Sequence, residues 1–501
     1  MRTDHQIDLG RSPFDDEEYA KIENRIWYHA KKDNLFRFYK TSHPTNRIYP
    51  IQEFYRIVPG NYPVVHYPLA DLITKTMVGL IFSEKPVITM DTGNKSRDEE
   101  LDQLLEKVFN ENDIEVLLQK AAELESYSGA VAFKPVLDPE FSDYPIIIPY
   151  PKEDIELVRK YNRVSAVIFK DYYEKEKNKY VLYTECGKGY IDYKLMKLKD
   201  GGSKPEEVPL DTLEETTGLK RLDFVGKNGQ RLNQLMCVYK ENKTNATSDY
   251  TGIIDDFQAL DEVYSNMLNF IRKSKIHTYL PENMCRKDEK GNTVKPFDYH
   301  SDYTILYDSN PEGTETQMTR DVVDIQNTID GYITTFNEIL KHAVLTTGLS
   351  TASIGYDISG ANASGEALSI REKVSMRTRS EKVHRWTCAL TELSKLIIAF
   401  QNMIIGEVIT LPEEVFEYEV LVAFAEYESP SMDAVVESLS AAKEAGLIDT
   451  DTALKRLWED EYSEEEIELM KLNIQEEQKA AQKLIDSSLF ETEEEDNNKE
   501  E

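Results

Sequence analysis

"IIDDFQALDEVYSNMLNFIRKSK", residues 253 to 275, is the stretch on which the reading of the fold turns. Phe257, Leu260, Tyr264, Met267, Leu268 and Ile271 recur at three- and four-residue spacing, so they share one face of a helix. Asp255 and Asp256 open it, and Arg272, Lys273 and Lys275 close it, which matches side-chain charge to the helix dipole. A second stretch, "RDVVDIQNTIDGYITTFNEILKHAVL" (320–345), aligns Ile325, Ile329, Tyr332, Ile333, Phe336 and Leu340, carries Lys341 near its end, and has Gly348 as its stop. Turn-rich residues 276–318, strand-like at "YTILY" (303–307), lie between the two. The pattern predicts two helices bracketing a small β-rich insertion.

Upstream the texture is different. Residues 16–40 and 69–82 predict amphipathic helices, "VITM" (87–90) a strand, and 96–129 one or two helices stopped at Gly129. Apolar runs at 130–137, 145–150, 163–173, 179–185 and 188–196, with turn residues between them, predict strands. "LKDGGSKPEE" (198–207) reads as a surface loop. Helices and strands are segregated, so the class expected for the whole chain is α+β, mainly helical.

Downstream, "TTGLSTASIGYDISGANASGEAL" (346–368) is small, polar and flexible in composition. Residues 366–405 then predict one long helix of about 60 Å, with a seam of Trp386, Leu390, Leu393, Ile397, Phe400 and Ile404. A strand is expected at 415–427, a small helical domain at 429–485, and a disordered acidic end.

Charge limits the partners. The 501 residues carry a formal net charge of −33, and Glu459 to Glu501 alone hold 17 acids against 4 bases. Such a surface opposes non-specific adhesion to nucleic acid, so any DNA role rests on shape or on local basic sites. One such site is "SIREKVSMRTRSEKVHRW" (369–386), where Arg371, Arg379, Lys382 and Arg385 fall within about a third of the helix circumference. That face suits phosphates or a neighbouring subunit's carboxylates; in an acidic homo-oligomer the carboxylates are favoured. An Arg377–Glu381–Arg385 ladder gives the plainer alternative of a solvated face.

Signatures of catalysis are sparse. Walker-type, H-E-x-x-H and G-x-S-x-G motifs are absent, the eight histidines lack metal-ligand spacing, and the four cysteines form no C-x-x-C pair. Asp255 and Asp256 could hold Mg²⁺ in a metal-dependent nucleic-acid enzyme, but their place at a helix start favours dipole matching. The expectation is no enzyme, no cofactor and no metal. A non-ring adaptor acting through the long helix is a further alternative. The start, "MRTDHQIDLGRSPFDDEEYA", has no apolar run behind its Arg, and "LSKLIIAFQNMII" (393–405) is too short to span a bilayer. A soluble chain made in a cytoplasm, with no membrane partner, is expected.

Four stretches together resemble a known family. "YPLADLITKTMVGLIFSEKPVIT" (67–89), "AELESYSGAVAFKPVLD" (122–138), "YKENKTNATSDYTGIIDDFQALDEVYSNMLNFI" (239–271) and "TTGLSTASIGYDISGANASGEALSIREK" (346–373) are similar, in order and spacing, to portal proteins of tailed double-stranded DNA bacteriophages of the long non-contractile-tail type. The resemblance implies an elongated subunit in a ring, normally of twelve copies, at one capsid vertex. It implies a wing (1–250), stem helix 1 (251–275), clip (276–318), stem helix 2 (319–345), tunnel loop (346–365), long wing helix and strand (366–428), crown (429–487) and disordered tail (488–501). The loop residues Ser350, Thr351, Ser353, Tyr356, Asp357, Ser359, Gly360 and Asn362 would line the DNA channel. Arg371, Arg379, Lys382 and Arg385 would serve subunit contacts or the lumen, with Arg272, Lys273, Lys275 and Lys341 at the stem ends. Implied partners are double-stranded DNA passing without sequence specificity, the terminase large subunit, a head-completion or adaptor protein, and the major capsid and scaffolding proteins. The implied location is the virion, with the host cytoplasm during assembly.

Overall fold

A computed structural model of the chain describes residues 16–29, 35, 65–138, 141–198, 205–273, 277–281, 303–306, 320–321, 325–356, 365–404 and 408–425, with isolated positions beyond. The chain divides into two units, Met1–Ala425 and Glu426–Glu501. All elements named below belong to the first. In the second only scattered helical residues, such as Lys443 and Lys471, are described, so most of the expected crown and all of the tail lie outside the described residues.

Helix α1 (Asp16–His29) precedes α2 (Leu69–Ile81), whose apolar stripe buries Leu69, Ile73, Met77, Leu80 and Ile81. Strand β1 (Val87–Asp91) follows, then α3 (Lys95–Glu111) and α4 (Ile114–Ser128). The predicted stretch 96–129 is therefore two helices, parted at Asn112 and Asp113, where Asp113 takes the left-handed conformation. Gly129 ends α4 at φ +93°, and a Cβ there would collide with the Ala246 carbonyl, so glycine is required on two counts.

The sheets come next. β2 (Ala130–Val136), β3 (Ile146–Pro151), β4 (Ile155–Lys160), β5 (Arg163–Lys175), β6 (Asn178–Gly187), β7 (Tyr190–Lys197), β8 (Glu206–Val208), β9 (Leu222–Val225) and β10 (Val238–Glu241) fill the first 250 residues. β2 is central in an antiparallel sheet, β10-β2-β3, with six buried positions in seven; β4 to β7 form a meander that β9 extends. The strands β4, β8, β9 and β10 were not legible, because short polar runs such as "IELVRK" show no period-2 signal and depend on neighbours for their pairing. The α+β class holds, with helices and sheets both well represented among the described residues.

Helix α5 (Ile254–Lys273) leads to β11 (His277–Pro281), β12 (Tyr303–Leu306) and β13 (Arg320–Asp321), which form a small sheet in the order β12-β11-β13. Helix α6 (Ile325–Thr346) starts five residues later than the pattern predicts. Arg320 and Asp321 pair instead with Thr278 and His277, and cross-strand bonding satisfies the backbone groups a helix would otherwise use. α5 and α6 pack together through Tyr264 on Phe336 (6.0 Å between ring centroids) and Phe270 on Tyr332 (6.1 Å), with Tyr67 edge-on to Phe336 at 5.1 Å. Ile271 and Ile333 are the exceptions to the predicted stripes, being 46% and 44% exposed.

Helix α7 (Gly365–Gln401) is the long helix, and its seam is the centre of the main core. Trp386 meets Phe82 edge-on at 4.9 Å, and Phe400 meets Phe224 at 5.5 Å. Ile404, counted in the predicted seam, falls beyond the helix end and is 69% exposed. β14 (Ile409–Thr410) and β15 (Glu419–Ala423) complete the unit. β15 pairs antiparallel with β1, Val87 opposite Ala423, and so closes the chain back onto its N-terminal part.

Candidate functional site

The loop expected to be flexible begins as ordered structure. α6 closes with paired bonds, Leu349 N–H to the Val344 carbonyl at 3.2 Å and Gly348 N–H to that of Leu345 at 3.0 Å, a Schellman turn with Gly348 at φ +83°. Ser350 is 4% exposed and donates its N–H to Ser375 Oγ at 2.8 Å. The Ser353 hydroxyl donates to the same oxygen at 2.7 Å. Thr351 is half-buried and its carbonyl accepts the Tyr356 N–H at 3.0 Å, while the Tyr356 hydroxyl donates to Asn337 Oδ1 on α6 at 2.7 Å. Three of the eight expected channel residues, Ser350, Ser353 and Tyr356, are thus docked on α6 and α7, and Thr351 is tied to Tyr356. Asp357, Ser359, Gly360 and Asn362 lie outside the described residues.

The basic face of α7 also divides. Lys382 is 4% exposed and donates to Asp249 Oδ2 at 2.9 Å and to Asn242 Oδ1. Arg379 donates Nε–H to the Leu80 carbonyl at 2.7 Å, at the C-terminal turn of α2, and also donates to the Ala425 carbonyl. Both side chains are thus engaged within the chain, because the packed side of α7 runs through them. Arg385 is half-buried, and Arg371 is helical. Arg377 meets Glu381 at 3.4 Å, so the ladder read from the sequence is present at its first rung. At the helix-pair ends, Lys341 is exposed, Arg272 and Lys273 are helical, and Lys275 lies outside the described residues.

Beneath Lys382 lies a polar centre that sequence reasoning missed. Asp249 is 1% exposed, and burial alone would raise its carboxyl; Lys382, Lys243 (3.1 Å) and the Asn242 amide instead hold it well below the usual carboxylate range. Ser126 on α4 donates at 2.8 Å to Asp249 Oδ2, the oxygen that Lys382 also meets. One turn along α7, the Trp386 ring faces Lys240 Nζ at 4.2 Å, and Lys240 pairs with Glu125. Desolvation, opposed by Glu125, lowers the Lys240 ammonium to about 8. Tyr250 roots the start of α5 by donating to the Ala70 carbonyl at 2.8 Å. The available signal was the dense polar run "KENKTNATSDY" beside a helix face carrying Ser375, Thr378 and Lys382 at helical spacing.

Asp256, one of the acids weighed as a metal ligand, faces His342 of α6 at 2.9 Å. Among the described residues no group of His, Cys, Asp and Glu side chains has the arrangement to hold a metal ion. Cys186 and Cys237 are buried, and burial pushes the Cys237 thiol up; Cys388 is exposed and Cys285 lies outside the described residues. No helix of the described residues is long and apolar enough to cross a membrane.

A helix pair thus brackets a small sheet, a loop is rooted between that pair and a 37-residue helix, and an α+β body is fastened to both. The family model described as "Phage portal protein, SPP1 Gp6-like" matches residues 63–480, and the chain belongs to that family, which is structural and contributes to the phage particle. Among solved structures, a chain of "Neck of empty GTA particle computed with C6 symmetry" is similar at 9% identity, covering 79% of this chain and 90% of that one, with a TM-score of 0.43. No curated protein matches the chain.

Proposed function

We propose that this chain is the subunit of a portal ring that conducts double-stranded DNA during genome packaging and ejection, and on which the terminase and the head-to-tail connector proteins dock in turn. The family match over 63–480 carries the reading. In it, α5 and α6 act as the stem, residues 276–318 with β11 and β12 belong to the clip, residues 1–250 with α7 and β15 form the wing, and 429–487 form the crown. The net charge of −33 suits a conduit: a mostly negative bore repels phosphates, so a duplex slides without being held. Contacts would be to backbone and shape, without base readout.

The test is the particle itself. Light scattering of purified protein should give a closed ring of about 0.7 MDa for twelve copies of the 57.8 kDa chain, and negative-stain images down the axis should show a central opening. A stable monomer would overturn the proposal.

A further inference from the structure

Residues 346–368 read in sequence as one continuous flexible stretch, but the chain fastens its first part to α7 through two hydroxyl side chains. Thr378 Oγ1 donates to the Gly348 carbonyl at 2.6 Å. Ser375, 0% exposed and nearly one turn away on the same face, accepts the Ser350 N–H and the Ser353 hydroxyl. Ser350 Oγ in turn accepts the Ser353 N–H at 3.1 Å, so the backbone is held at successive points and not by one contact. The fit is close: a Cβ on Gly348 would collide with Thr378 Oγ1.

We propose that Ser375 and Thr378 are positioning residues that pin residues 348–353 onto the long helix, making the root of the loop part of the rigid frame and removing Ser350 and Ser353 from contact with DNA. The consequence for DNA passage rests on the portal reading above; the pinning itself does not. The residue types suit the task. Serine and threonine hydroxyls bond backbone groups at short range with little side-chain entropy to lose. A root fixed in this way sets where the loop leaves the wall, so every copy in a ring would present it at the same height.

The experiment uses the full chain, with hydrogen–deuterium exchange resolved to the amides of residues 348–353. Ser375→Ala should speed exchange at Ser350 and Ser353 roughly fivefold, the effect of losing about one net hydrogen bond. Thr378→Val should speed exchange at Leu349 and Ser350, and Thr378→Ser should restore it. Ser380→Ala, on the exposed side of α7, should change nothing. Wild-type exchange in Ser375→Ala overturns the pinning. In particles, Ser375→Ala and Thr378→Val should assemble normally but package less DNA than wild type, with Thr378→Ser again restoring it. Faster exchange with unchanged packaging overturns the positioning role alone. A wild-type chain that forms no ring removes the portal reading and leaves the exchange result standing.

Discussion

Lys382 on α7 and Asp249, five residues before α5 begins, meet at 2.9 Å with side chains only 5% and 0% exposed. The pair joins the long helix to the root of the helix pair inside one chain. It turns what reads in sequence as an outward basic face into an internal fastening.

Removing the cation should therefore be costly. Lys382→Met leaves Asp249 with Lys243, Asn242 and Ser126 but without its buried partner, and stability should fall by about 3 kcal/mol. Asp249 has a depressed value in the fold. Its contribution is present above the ordinary carboxylate range and is lost as pH falls through the folded value, so Lys382→Met should also flatten the acid limb of the stability profile. Urea unfolding between pH 3 and 7 checks both; a wild-type midpoint would show that the pair stabilises nothing.

Arg379 fastens the same helix to two carbonyls far away in sequence, those of Leu80 and Ala425. Arg379→Met should cost about 2–3 kcal/mol, because charge-assisted bonds to the end of α2 and to the exit of β15 are lost together. Charge reversal at Arg379 or Lys382 should reduce the amount of folded chain before it affects ring assembly. Circular dichroism of the variants alongside sizing separates the two: fully folded chains that fail to assemble would mean that these residues act between subunits.

Gly348→Ala should destabilise the chain by about 1–2 kcal/mol. The position has φ +83°, and the added methyl meets the Thr378 hydroxyl that binds its carbonyl. A Tm unchanged from wild type would show that the turn relaxes without cost.

Glu153 gives a pH signature. Burial raises its carboxyl to about 7, a shift that Arg25, at 3.3 Å, opposes only in part. A folded value above the unfolded one means that the proton favours folding. Stability from this group is fully present below the ordinary glutamate value and is lost as pH rises toward 7, by up to about 3 kcal/mol. Glu153→Gln should remove that loss, so its Tm advantage over wild type should grow from pH 5 to pH 8. A constant difference across that range would refute the assignment.

Much of the architecture was legible because it is written in local spacing. The stripes of α2, α5 and α7, the stop at Gly129 and the Schellman glycine at position 348 each depend on residues within a turn or two. The limits of that reading appear at Ile404 and at Arg320–Asp321, where a regular pattern continued past the point at which a helix end or a strand partner took over. β4 and β10 show the same limit from the other side, since their identity as strands comes from β5 and β2.

By itself, then, the sequence determined the order of the helices and of the longer strands and the chain's acidity, which follow from short-range periodicity and composition, while its family likeness rested on the resemblance of four particular stretches. Only the tertiary structure decided which polar residues face inward. Lys382 meets a carboxylate 133 residues away and Arg379 a carbonyl 299 residues away. Whether a charge on a helix is solvated or buried depends on what packs against that face, and no local pattern carries that information. The same holds for Ser350 and Ser353, polar residues whose composition suggests a mobile loop and whose partner, Ser375, lies on another helix.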